Sequence, residues 1–168
     1  KGIAILVRAF RMLLERYPNS RLIIAGEGDY QMLFSHAFKD WSKVTFTGYI
    51  DQKTLYDFYS IADMGVVPSL HEEFGYVEMM MHALPVIVNA TTGLAEIVDH
   101  EVNGLHVVLK RGKKNLLQSA KKLASALVRL SESPRLRTDM GNKAREKYLS
   151  YYEIRHFNER MRSLYRTL

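Results

Sequence analysis

The sequence predicts an α/β domain, a parallel sheet covered by helices on both faces. Three observations carry this. Five short apolar runs alternate with stretches of helical spacing until about residue 109. The runs are uninterrupted rather than alternating apolar with polar, as strands buried on both faces are. At 168 residues, 47% apolar and 25% charged, the chain has material for one real core and defaults to a single domain.

The elements follow in order. Apolar residues at 3, 6, 7, 10, 13 and 14 recur at helical spacing, and Pro18-Asn19-Ser20 stops that helix. Residues 21–25 form a short buried strand, and Gly26-Glu27-Gly28-Asp29 turns into a second helix at 30–38. Residues 44–50 read as a strand with its exit loop. Asp51 caps a helix at 52–60 whose apolar face holds Leu55, Phe58 and Tyr59. A strand at 64–67 ends at Pro68-Ser69, and a Met-rich helix leads to a fourth strand at 85–88. Thr91-Thr92-Gly93 opens a short helix, Asn103-Gly104 turns into a fifth strand at 105–108, and helices at 113–131, 134–148 and 151–167 close the chain. The alternation implies right-handed crossovers between parallel strands.

The chain holds no cysteine, so disulfides, thiolate nucleophiles and Cys-based zinc sites are excluded and a cytoplasmic setting is expected. No apolar run reaches the roughly 20 residues of a membrane span. The net charge of +6 is unevenly spread. Residues 1–109 carry 8 Lys+Arg against 13 Asp+Glu, whereas residues 110–168 carry 16 against 5. Basic helices of this kind are solvated faces or attract anionic lipid or nucleic acid. No RNA-binding signature interleaves them, so no nucleic-acid partner is expected.

In an open parallel sheet, ligands bind beyond the carboxyl ends of the strands. Residues 26–29, 48–50, 68–75 and 89–93 fall there, and their Gly, Ser and Thr content suits a phosphate-bearing ligand. Gly26 and Gly28 are either a tight strand-to-helix turn or a phosphate contact. Phe74-Gly75, before a helix, lets the main chain approach a diphosphate or simply packs a turn. Glu72, Glu73 and Glu78 form an acid/base set or accept from sugar hydroxyls. For Glu73, compensation of the helix dipole is the preferred reading. Met79-Met80-Met81 reads as core filler. No metal site can be assembled around His71 or His82.

Taken in this order, the segments resemble the C-terminal, donor-binding half of the retaining GT-B glycosyltransferases of family GT4, a Rossmann-like three-layer domain. The resemblance runs through Lys1-Gly2, Leu22 to Gly28, Val44 to Ile50, Ala62-Asp63 to Ser69, the stretch from Glu72 to Glu78, Leu84 to Ile87, Gly93 to Val98 and Asn103-Gly104. It is close over 1–109 and loose over the basic helices at 110–168. It implies glycosyl transfer from a nucleotide-sugar, such as a UDP- or GDP-hexose, with retention of configuration, in polysaccharide or glycoconjugate synthesis. Glu72 would hold the donor sugar hydroxyls as the catalytic-site carboxylate. Lys1 would meet the diphosphate, and Gly48, Tyr49 and Ile50 would lie against the base. Phe74, Gly75 and Tyr76 would offer backbone amides, and Glu78 would bind the ribose. The resemblance implies no cofactor or metal, the leaving diphosphate being held by positive groups and helix ends.

Two departures shape the expectations. The resemblance places seven residues between the two glutamates, whereas five separate Glu72 from Glu78. Residues omitted between Gly75 and Glu78 are the expected cause, and a continuous Val77–Glu78 backbone would overturn that. The family's first strand and N-terminal acceptor domain are also missing, so the chain reads as a piece of a longer enzyme, inactive alone. A saccharide or lipid-linked acceptor would bind the missing domain, and the closing helix would expose Tyr151, Tyr152, Phe157 and Tyr165. The +11 segment makes peripheral association with the inner membrane face a further expectation. The alternative is a non-catalytic module that binds nucleic acid or anionic membrane through its basic helices.

Overall fold

The computed structural model describes residues 2–28, 40–70, 76–90 and 93–166. The expected helix at 30–38 lies outside them, as do Lys1, Glu72, Phe74 and Gly75.

The architecture is α/β with parallel strands. Helix α1 (Ile3–Leu14) leads to β1 (Leu22–Ala25), and β2 (Val44–Gly48) follows a single 3₁₀ turn at Trp41–Lys43. Then come α2 (Gln52–Ile61), β3 (Gly65–Val67), α3 (Tyr76–Met81), β4 (Val86–Asn89), α4 (Leu94–Ile97) and β5 (Gly104–Val107). The closing helices are α5 (Lys113–Glu132), α6 (Pro134–Lys147) and α7 (Ile154–Arg166).

The five strands do not form one continuous sheet. β1 pairs with β2, and β3, β4 and β5 pair in that order, every pair parallel. No hydrogen bonds join β1 to β3.

One core nevertheless spans both halves. α1 buries Ile5, Leu6, Val7, Ala9, Phe10 and Leu13 against Ala120, Leu123, Leu127 and Leu130 of α5. The same cluster takes in Ile24 of β1 and Ile87, Leu105 and Val107 of β4 and β5. A second cluster on α3 and α6 gathers Val67, Tyr76, Met80, Val86, Val88, Val98 and Ala144. β4 lies between the two clusters, and all four of its residues are buried. That burial explains why its sequence is an unbroken apolar run ending in one Asn.

The helix ends follow local chemistry. Asp51 caps α2, its Oδ1 accepting from the Thr54 N–H at 2.7 Å, as expected from sequence. Ser133 accepts from Leu136 N–H at 3.2 Å to start α6, with Pro134 in the first turn, where its missing N–H costs nothing. The break expected between the last two helices is a π-helical turn at Tyr148–Tyr152. Its carbonyls find side-chain partners: Leu149 O meets His156 Nε2 at 2.8 Å, and Tyr151 O accepts from Arg160 at 3.1 Å. Tyr151 and Phe157 are exposed as expected, and so is Tyr165. Tyr152 departs from the expectation, because it packs against the second core.

Candidate functional site

The carboxyl ends of the strands define the edge where a ligand would sit. At the ends of β1 and β2, the Gly26 N–H donates to Gly48 O at 3.0 Å, tying the two exit turns together. Both glycines hold positive φ, 107° and 66°, which residues with a side chain adopt only under strain. A Cβ built on either would meet nothing among the described residues within 4 Å. Tyr49 follows at 80% exposure, an unusually bare aromatic beside an open backbone turn. Ile50 and the Asp51 cap then feed α2. The cap's hydrogen bond from the Thr54 backbone holds the Asp51 carboxyl below its ordinary range.

The other half of the edge is held by Asn89 at the end of β4. Its side chain is fully buried, donating from Nδ2 to Ser69 O at 2.9 Å and accepting at Oδ1 from Leu109 N–H at 3.0 Å. One amide thus fixes the exit loops of β3 and β5 on either side of β4. Its two hydrogen bonds satisfy polar atoms that would otherwise be buried without partners. Beyond β5, Lys110, Arg111, Lys113 and Lys114 are exposed around the start of α5, whose Gly112 cap supplies no side-chain acceptor.

Glu78 stands in the first turn of α3. Val77 and Glu78 are successive residues of one unbroken helix, and Glu78 O accepts from His82 N–H at 3.3 Å. The backbone is continuous through Val77–Glu78, and the rest of the interval back to Glu72 lies outside the described residues. The Glu78 carboxylate lies near α2: burial first, then the negative charge of Glu78, raise the pKa of Tyr56. Tyr59 is pushed up to about 12, chiefly by burial and then by Glu78 and Tyr56. The His82 ring sits 4.9 Å from Tyr56 and 5.5 Å from Tyr59, and its buried Nε2 has no hydrogen-bond partner among the described residues. Gln52 Nε2 donates to the Tyr56 hydroxyl at 2.8 Å.

Of the residues expected to contact a ligand, Gly26, Gly28, Gly48, Tyr49, Ile50, Tyr76 and Glu78 are described. Gly26 and Gly48 are in direct contact, with Tyr49 and Ile50 following. Glu78 lies near the helix that those residues lead into. Tyr76 sends its ring into the second core at 1% exposure, which leaves only its backbone for a ligand. Burial, then Tyr152 and Glu96, push its hydroxyl to about 12. Sequence reasoning did not single out Tyr56 or Gln52, and it weighed His82 only as a metal ligand. Gln52, Tyr56 and Tyr59 do fall on one helical face by their spacing, but the aromatics there read as core. Among the described residues, no three possible metal ligands come together.

Residues 1–147 match the family Glycosyl transferases group 1. The chain belongs to that family. An uncharacterized glycosyltransferase of Methanocaldococcus jannaschii is 42% identical over 121 residues, 66% of this chain and 29% of that protein. The solved sucrose-phosphate synthase of Thermosynechococcus elongatus superposes with a TM-score of 0.81 at 30% identity, covering 99% of this chain and 42% of that one. Anabaena HepE, solved in complex with UDP, superposes with a TM-score of 0.80 at 20% identity, covering 100% of this chain and 46% of that one. Such coverage is what a group 1 glycosyltransferase's Rossmann-like half would give. The chain spans less than half the length of these relatives.

Proposed function

We propose that this chain is the nucleotide-sugar-binding portion of a retaining glycosyltransferase. It takes a hexosyl group from a donor such as a UDP- or GDP-hexose to a saccharide or lipid-linked acceptor, in polysaccharide or glycoconjugate synthesis. What supports the reading is the Gly26–Gly48 bond that ties the exit turns of β1 and β2, the bare Tyr49 ring that follows, and Glu78 near α2, the helix into which that turn leads. Family membership and the UDP complex of HepE support it.

Each group has a chemical task in this reading. The glycine turns let a ligand approach main-chain amides, and Tyr49 offers a face for a base. Glu78, acceptor-only when ionised, takes the ribose hydroxyls. Glu72, outside the described residues, takes the sugar hydroxyls, while Lys1 and the amides of Phe74 and Gly75 face the diphosphate. Transfer then depends on stabilising the negative charge that develops on the leaving diphosphate, a task for helix amides and cations. The exposed lysines after β5 add positive potential at the same edge.

The test is thermal unfolding of the full protein with UDP, GDP, ADP and their sugars, with a short DNA duplex and anionic vesicles as controls. A ligand at 100 times its dissociation constant adds roughly 2.7 kcal/mol of stability. The expected result is stabilisation by one nucleotide family, abolished by Glu78→Gln and little changed by salt. Stabilisation by the duplex alone, falling steeply with salt, would instead favour a nucleic-acid module.

A further inference from the structure

We infer that the outer face of α5 is a docking surface for an anionic lipid bilayer. The inference goes beyond donor binding and does not depend on it.

Helical spacing builds the surface. Between Val102 and Ser131 the sequence holds seven Lys and Arg and no Asp or Glu. One side of α5 buries Ala120, Leu123, Ala124, Leu127 and Leu130 in the core it shares with α1 and the sheet. The other side carries Lys113, Lys114, Lys121 and Lys122, all exposed. Lys114 and Lys121 are two turns apart and lie almost in line along the helix. Leu117 sits among these lysines at 51% exposure. Twenty residues give this face a length of about 30 Å. α1, packed against α5, also holds no acidic residue and adds Arg8 and Arg11.

Without a partner, this distribution costs stability. Lys113 and Lys114 occupy the first turn of α5, where the helix dipole is positive and acidic residues are favoured. No acidic residue is there, and the Gly112 cap supplies no side-chain acceptor. The four lysines make no ion pair with a described residue, whereas cations elsewhere on the closing helices do. Arg129, near the far end of α5, meets Glu101. On α6, Arg135 pairs with Asp139 at 3.6 Å and Lys143 with Glu146 at 2.7 Å. A broad polyanion laid along α5 would relieve the repulsion that the chain leaves uncompensated.

The side chains favour lipid as that polyanion. The four exposed cations are lysines, point charges that respond to a diffuse negative surface rather than to one fixed geometry. The exposed face lacks the arginine forks and amides that read base edges, and no aromatic ring stands among the lysines to stack on a base. Leu117 offers apolar contact at the headgroup level. α5 also starts just past the carboxyl end of β5, so its first turn lies at the ligand edge. A bilayer docked along the helix is thereby brought to that edge.

The experiment is co-sedimentation of the full protein with vesicles of phosphatidylcholine alone and of phosphatidylcholine mixed with phosphatidylglycerol. The wild type should bind only the anionic vesicles, and salt should weaken the binding. Each lysine near the surface is worth roughly fivefold in affinity. Lys113→Gln, Lys114→Gln, Lys121→Gln and Lys122→Gln combined should therefore lower binding roughly a hundredfold or more. All four side chains are exposed, so the fold is kept. The matched control removes cations from the other basic helix, by Arg155→Gln, Arg162→Gln and Arg166→Gln, and should change binding little. A wild type that ignores anionic vesicles overturns the inference, as does a lysine variant that binds like wild type. An equal loss in the arginine variant overturns it too, because net charge rather than the α5 face would then be responsible. A short DNA duplex bound more tightly than the vesicles, and lost in the lysine variant, would make the face a nucleic-acid surface instead.

Discussion

Ala83 sits at φ 55°, a left-handed conformation that glycine adopts far more readily than alanine. It ends α3 in a Schellman arrangement, with Ala83 N–H donating to Met80 O at 3.0 Å and Leu84 N–H to Met79 O at 3.0 Å. These bonds hold the residue there against a steric cost of about 1–2 kcal/mol. Ala83→Gly should therefore stabilise the protein by about 0.5–1 kcal/mol once the extra backbone freedom of glycine is subtracted, a gain readable in urea unfolding. Asn89 shows the opposite case, a residue whose environment suits it fully. Its amide donates on one side and accepts on the other, which neither aspartate nor leucine could do. Nothing in the apolar run that precedes it announces that role. The sequence places an Asn at the end of a strand, and only the packed loops show why.

Between elements, α6 comes into backbone contact with the end of α3. A Cβ on Gly141 would lie 2.0 Å from Ala83 O, so the glycine lets two backbones meet where a side chain cannot fit. Arg145, one turn on, donates to Met81 O and satisfies a carbonyl at the end of α3. Gly141→Ala should force α6 outward and destabilise by about 1–3 kcal/mol, measured as a lower denaturant midpoint at unchanged slope. This contact also bears on the site. α3 carries Glu78 in its first turn and is held at its other end by α6, so a displaced α6 should weaken nucleotide binding as well. The start of α2 was legible in sequence because Asp51 is a capping residue placed before a helical pattern. The π-helical turn at 148–152 was not, because it depends on His156 and Arg160 reaching back to free carbonyls.

Across the whole molecule, two half-sheets share one core through α1 and α5. Leu123 is at 1% exposure in that joint, and truncation there should cost about 2–5 kcal/mol. Because the cluster binds both halves, Leu123→Ala should also broaden unfolding, with circular dichroism and the fluorescence of Trp41, the chain's single tryptophan, no longer transiting together. Coincident transitions would show that the halves are joined elsewhere. At the other end of the molecule, α7 exposes Ile154, Phe157, Leu164 and Tyr165, an apolar stripe flanked by arginines. No helix among the described residues is long and apolar enough to cross a membrane.

The sequence by itself determined the class of fold, the order and direction of the strands and the edge where a ligand would bind. Those follow from local properties: apolar run length, helical spacing, and glycine or capping residues at fixed positions. It also carried the family, through an ordered set of short motifs. Tertiary structure decided the division of the sheet, the burial of Tyr152 and Tyr76, and the packing of Tyr56 and Tyr59 against His82. Each of these depends on which residues far apart in the chain come to touch. A tyrosine at helical spacing has the same pattern whether its hydroxyl ends in solvent, in a core or on a carboxylate. Only packing α2 against α3 selects among the three.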